Sequence, residues 1–130
     1  MGKRHNKRRK ILSVVIITWL VVIANNHELP PPEGIMMTTS YYGSEFQGRK
    51  MANGERFDPR EMVVAHKRLP FETKLLIVNP TNYKRVIATV KDRGPYVAGR
   101  NLDVSTGVKK KLGLEMGKKG TAPVEVYILE

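Results

Sequence analysis

Val86-Ile-Ala-Thr-Val-Lys-Asp-Arg-Gly-Pro-Tyr-Val-Ala-Gly-Arg-Asn-Leu-Asp-Val-Ser105 is the stretch on which the reading of this chain turns. Its first five residues, Val86 to Val90, are rich in branched side chains that suit a pleated, half-buried surface, and predict a β-strand. Asp92-Arg93-Gly94-Pro95 then breaks it, because proline fixes φ and lacks an N–H while glycine accepts unusual φ. A carboxyl at the lip of a buried strand can have its proton affinity tuned by its surroundings, as acid–base chemistry requires. The plainer alternative is that Asp92 caps a turn and pairs with Arg93.

Working outward, the flanking segments repeat this texture of short strands and turns. Toward the N-terminus, Thr73 to Asn79 reads as a strand, and Pro80-Thr81-Asn82 turns it into a hairpin with Lys84 to Val90. Met62 to His66 is a short apolar segment ending in histidine. Ser44 to Asp58, with Gly48, Asn53-Gly54 and Phe57, predicts a long ordered loop, and Thr38 to Tyr42 a strand ended by Gly43. Toward the C-terminus, Val104 to Leu112 predicts one short helix, with Ser105 as N-cap and Gly113 as stop. Ala122 to Leu129 alternates and closes the domain as a strand. Short strands with one small helix predict a closed β-barrel, which removes exposed sheet edges.

The chain has 130 residues and a formal charge of +11, which invites a nucleic-acid reading. Six of its 23 basic residues, however, fall in the first ten positions, and all 12 acidic residues come after position 25. No basic motif interleaved with aromatics is present, so nucleic acid is not an expected partner. The basic leader abuts the apolar run Ile11 to Ala24, which is the length of a signal-peptide core and shorter than the roughly 17–25 residues of a membrane span. Residues 1–24 are therefore expected to be a signal peptide or signal anchor, residues 25–38 a proline-containing linker with Pro30-Pro31-Pro32, and residues 39–130 the domain. Export follows in either case: periplasmic or cell-envelope, secreted or held by the N-terminal helix, with membrane contact only through that helix. There is no cysteine, which excludes disulfides, thiol nucleophiles and a lipidated N-terminal cysteine, so a lipoprotein is not expected. No spacing of His, Asp or Glu suits a metal, no cofactor is expected, and the domain is expected to be a monomer.

Five motifs stand in order: Tyr41-Tyr42-Gly43; Gly48 to Asp58; Ala65-His66-Lys67-Arg68-Leu69-Pro70-Phe71; Lys91-Asp92-Arg93-Gly94-Pro95-Tyr96; and Gly99-Arg100-Asn101-Leu102-Asp103-Val104-Ser105. Together they closely resemble the rare lipoprotein A (RlpA) family, from about Thr39 to Leu129. The resemblance implies a mainly β fold, a six-stranded double-psi β-barrel. It also implies an endolytic lytic transglycosylase of peptidoglycan glycan strands, a lyase preferring glycan stripped of stem peptides. By the same resemblance Asp92 is the acid, His66 its partner, Glu55 the third catalytic residue, and Asp58 lines the groove. Two residues depart from the family pattern: Glu72 stands where Leu-Pro-Phe is usually followed by glycine, and Met51 replaces a threonine. Many members also carry a glycan-binding SPOR domain, and none is expected here.

Cleaving the bond between N-acetylmuramic acid and N-acetylglucosamine needs a proton on the departing O4 as positive character builds at C1. A carboxyl with raised proton affinity can supply it and later take the proton of the C6 hydroxyl, whose intramolecular attack yields a 1,6-anhydro product. Tyr42 and Tyr96, with Tyr41 and Phe46, either stack on sugar rings or pack in the core. Arg93 and Arg100 are read as structural, pairing with Asp103. The competing reading is a non-catalytic, expansin-like polysaccharide binder or a structural protein of the cell envelope.

Overall fold

The computed structural model describes residues 34–129. The expected leader and the linker as far as residue 33 lie outside the described residues. The first strand, β1 (Ile35–Tyr42), starts inside the stretch expected to be linker, so residues 35–38 belong to the fold. It is followed by β2 (Val63–His66), β3 (Lys74–Val78), β4 (Arg85–Asp92), β5 (Leu102–Ser105), the helix α1 (Thr106–Leu112) and β6 (Ala122–Leu129). The strands close a barrel in the order β1, β5, β2, β4, β3, β6. Two pairings, β1 with β5 and β2 with β4, are parallel, and the rest are antiparallel. This mainly β, six-stranded closed barrel is the double-psi architecture that the resemblance implied.

Alternation along each strand sorts the side chains. Val64, Leu75, Ile77, Ala88, Val90, Leu102, Val104, Val124 and Val126 point inward and, with Val108 and Leu112 of α1, form the main core. Fully burying one such aliphatic side chain contributes about 1.5–3 kcal/mol. The residues between them face outward. Of these, Tyr42, Val63 and Ala65 meet Met51 and Phe57 in a second cluster that seats the long loop between β1 and β2. That loop is ordered, as expected. Its two arms are bridged at Lys50 and Arg56, and it carries a 3₁₀ turn at Ser44–Phe46.

One expectation is corrected. The helix begins at Thr106, not Val104, because Leu102 to Ser105 are held as a strand between β1 and β2. Ser105 is the N-cap as read, its Oγ accepting the Val108 N–H at 3.2 Å while donating to the Glu61 carbonyl at 2.6 Å. Gly113 ends the helix in the left-handed region. The β3–β4 turn then closes over this end, where Asn79 and Asn82 both donate to the Leu112 carbonyl. Gly107 is required by close approach, since a Cβ there would lie 2.6 Å from the Arg60 carbonyl oxygen.

Candidate active site

Strand register puts four residues in one row. Ser40 of β1 pairs with Asp103 of β5, Asp103 pairs with Ala65 of β2, and Ala65 pairs with Asp92 of β4. Directly paired residues face the same side of a sheet, so both carboxyls rise from the outer face with the Ala65 methyl between them. Two strand spacings separate the Cα atoms of Asp92 and Asp103 by roughly 9–10 Å. Asp92 reaches this row through a bulge. Val64 pairs with Val90 but Ala65 pairs with Asp92, so Lys91 is an extra residue that turns Asp92 from the inward to the outward side. The result is a groove of ≈ 570 Å³ floored by Ala65 and the two aspartates and walled by Tyr42, Arg49, Tyr96 and Arg100.

The two carboxyls differ in environment. Oδ1 of Asp92 accepts the N–H groups of Ala52 and Arg93 at 2.9 and 2.8 Å, which fixes its orientation. Asp103 has one donor, the Ser40 hydroxyl at 3.2 Å. Burial pushes its carboxyl up to about 6; the charge of Asp92 adds to this, and the Ser40 hydrogen bond and Arg100 oppose it. A group holding a proton to that pH beside an oriented partner carboxyl is equipped for general acid work.

Of the expected site residues, Asp92, Tyr42 and Tyr96 line this groove. Tyr96 is 81% exposed at the mouth, free to meet a ligand face-on. Tyr42 is only 8% exposed and packs edge-on to Phe46 and tilted on Phe57, 6.1 and 4.4 Å between centroids. Its ring is committed to the core and is not offered for stacking.

His66, Glu55 and Asp58 are not among the residues that line this groove. His66 follows Ala65 on β2 and so faces the other side of the sheet. Its Nδ1 accepts the N–H groups of Arg68 and Leu69 at 3.1 and 3.0 Å, leaving the ring proton on Nε2. Burial and the neighbouring cations Arg93, Lys67 and Arg68 hold its pKa below the usual value. Glu55 is exposed on the long loop and paired with Lys91 Nζ at 2.7 Å, so it clamps that loop to the bulge; the same contact lowers its pKa. Asp58 chelates Arg60 and lines an adjoining, broader depression beside α1 that shares Ser40, Tyr41 and Arg100 with the groove.

Among the described residues neither Arg93 nor Arg100 forms an ion pair with Asp103, although the charge of Arg100 still acts on it. Nη1 of Arg93 donates to the carbonyls of Leu69 and His66, with its guanidinium 4.0 Å from the Phe71 ring centroid, and Nη2 of Arg100 donates to Lys119 O. Both are structural, through the main chain. The residue that sequence reading missed is Asp103 itself. Its signal was the alternation of Leu102 and Val104 around it, which marks a strand with the aspartate facing outward. Among the described residues no three His, Asp or Glu side chains gather where they could hold a metal ion.

Comparison with known proteins identifies the family. Residues 35–126 match the family model described as "Lytic transglycolase". The probable endolytic peptidoglycan transglycosylase RlpA of Aquifex aeolicus is 49% identical over 90 residues, covering 69% of this chain and 39% of that protein. The endolytic peptidoglycan transglycosylase RlpA of Pseudomonas aeruginosa (strain UCBPP-PA14) is 44% identical over 89 residues, covering 68% of this chain and 26% of that protein. The chain thus spans well under half the length of these relatives. Among solved structures, the Streptomyces papain inhibitor superposes with a TM-score of 0.57 at 16% identity, covering 79% of this chain and 100% of that chain, a likeness of fold alone. By the family match and the barrel, the chain belongs to the RlpA-like lytic transglycolase family of double-psi β-barrels.

Proposed function

We propose that this groove cleaves peptidoglycan glycan strands endolytically at the bond between N-acetylmuramic acid and N-acetylglucosamine, in the cell envelope, leaving a 1,6-anhydro end. The observation that carries this reading is the placing of Asp103 and Asp92 on either side of Ala65, with the raised proton affinity on Asp103. Asp103 gives its proton to O4 as the C1–O4 bond breaks. The departing O4 and the attacking O6 lie on the same face of the sugar ring, so the Asp103 carboxylate can then take the C6 hydroxyl proton as C1–O6 forms. The proton is thereby returned and no water enters the product. Asp92, held by two main-chain N–H groups, faces the positive charge that builds at C1. The resemblance gives the acid role to Asp92 instead, with His66 and Glu55 as its partners, and Asp92→Asn beside Asp103→Asn separates the two assignments.

The test is product analysis by mass spectrometry after incubation with peptide-free glycan strands. The unmutated protein is expected to release fragments ending in 1,6-anhydro-N-acetylmuramic acid. Asp103→Asn should lower the rate by roughly 10²–10⁴-fold while glycan binding persists. Reducing ends would mean hydrolysis by water, and binding without cleavage would return the protein to the expansin-like class.

A further inference from the structure

The groove does not end at its own walls. Ser40, Tyr41 and Arg100 line it and also line the broader depression beside α1, which measures ≈ 1140 Å³ against ≈ 570 Å³. Neither Asp92 nor Asp103 lines that second hollow, so it is placed to hold a ligand and not to react with it. Its lining is strongly charged. Five cations, Arg60, Arg100, Lys109, Lys110 and Lys111, stand against two carboxyls, Glu45 and Asp58. Asp58 is already taken by Arg60, and among the described residues none of the three lysines forms an ion pair.

A helix end can call for cations, because its last carbonyls carry partial negative charge. Here those carbonyls are already met. The N–H groups of Leu114 and Gly113 donate to the carbonyls of Lys109 and Lys110, each at 3.1 Å, and Asn79 and Asn82 donate to that of Leu112. Closing the helix therefore does not account for three successive lysines. One of them is held where the two hollows meet: Lys109 Nζ lies 4.2 Å from the centroid of the Tyr41 ring. That ring is 42% exposed and lines both hollows. A cation over an aromatic face is held in place without being neutralised.

We propose that the depression beside α1 continues the glycan groove and binds the free lactyl carboxylates of N-acetylmuramic acid, with Lys109, Lys110 and Lys111 as their partners. An endolytic cut needs strand on both sides of the bond, and the shared wall of Ser40, Tyr41 and Arg100 gives that strand a continuous path. A peptide-free strand carries a carboxylate on every disaccharide, whereas an attached stem peptide converts that carboxyl into an amide. Charge complementarity then favours the peptide-free strand. Contacts away from the reacting carboxyls act alike on substrate and transition state, so they tighten binding without speeding the chemical step. The inference rests on the proposed glycan substrate, but not on which aspartate gives the proton.

The experiment compares peptide-free glycan strands with the same strands after carbodiimide amidation, which turns each lactyl carboxylate into a neutral amide. Binding to the full chain is measured by titration calorimetry in an Asp92→Asn, Asp103→Asn background, so that nothing is cleaved. The unamidated strand should bind more tightly, and its advantage should shrink as salt is raised. Lys109→Gln, Lys110→Gln and Lys111→Gln together should cost roughly tenfold in affinity for the unamidated strand, as for three exposed charge contacts, and nothing for the amidated one. Arginine at the same three positions keeps the charge and should keep the affinity. With both aspartates restored, the glutamine variant should raise KM by the same factor and leave kcat unchanged. If that variant does not fold, Lys110→Gln with Lys111→Gln, both exposed, should show a smaller loss of the same kind. Equal affinity for the two strands overturns the inference. So does an equal loss on both, which would mean that the lysines only support the fold. Poly-glutamate competing as well as the glycan also overturns it, since the patch would then be a general anion surface. A chain that cleaves neither strand refutes the proposed function alone, because the binding comparison is made without turnover.

Discussion

Val64 and Ala65 are adjacent on one strand and face opposite ways. On the side of Val64 the barrel is packed with aliphatic groups that bury their whole surface and carry no charge. On the side of Ala65 the same strands present two carboxyls, a serine and an unpartnered phenol in a single patch. The pleat separates the barrel core from the face proposed to do chemistry at every second residue, and that outer face also carries the smaller cluster that seats the long loop. Leu102 and Asp103 repeat the contrast on β5.

Leu102→Ala tests the separation most severely. It should cost about 2–5 kcal/mol in denaturant unfolding by leaving a cavity in the barrel, with kcat of the folded fraction close to the unmutated value. A loss of turnover without loss of stability would show that the inner face also governs the chemistry. Ala65→Leu comes next: filling the floor between the carboxyls should abolish glycan binding, measured by titration calorimetry, while overpacking costs about 1–3 kcal/mol. Unchanged binding would move the glycan elsewhere on the surface.

The pH dependence of stability sharpens the comparison further. Folding raises the Asp103 carboxyl from the usual value to about 6, so the folded state binds this proton more tightly than the unfolded one. The stability from this group is fully present below about pH 4 and is lost as pH climbs through about 6. After allowance for its partial exposure, the loss amounts to about 1–2 kcal/mol, which Asp103→Asn should remove from the unfolding profile. The smallest effect expected is at Glu72, a non-glycine residue with φ of 70°. Glu72→Gly should raise unfolding free energy by about 1 kcal/mol by relieving the left-handed conformation, with activity unchanged.

Much of the barrel was legible because its signals are local. The β-branched run before Asp92, the Ser105 cap, the Gly113 stop and the alternation of Ala122 to Leu129 each depend on near neighbours in the chain. The strand Leu102–Ser105 was not, since four residues acquire strand character only through partners on both sides, more than 35 positions away in β2 and more than 60 in β1. The same cause hid Asp103 and separated His66 from the groove. Motif order brings Asp92, His66 and Glu55 together on paper, but which face each side chain takes is settled by register, and register is a long-range property. Glu72 was the opposite case: an oddity visible in sequence whose meaning, a strained φ, is a property of the backbone.

The bulge at Lys91 makes the site a matter of counting. Its side chain is occupied by Glu55, yet its first contribution to the groove is to be one residue more than the ladder needs. Deleting Lys91 would restore an even ladder with Asp92 directly after Val90 and its carboxyl still on the outer side, whereas taking Lys91 into the ladder without a bulge would aim Asp92 into a barrel lined with valine and leucine. Substitutions along this strand can be judged by chemistry, but insertions and deletions outside the bulge obey arithmetic: an odd change inverts the two faces beyond it, and an even one keeps them.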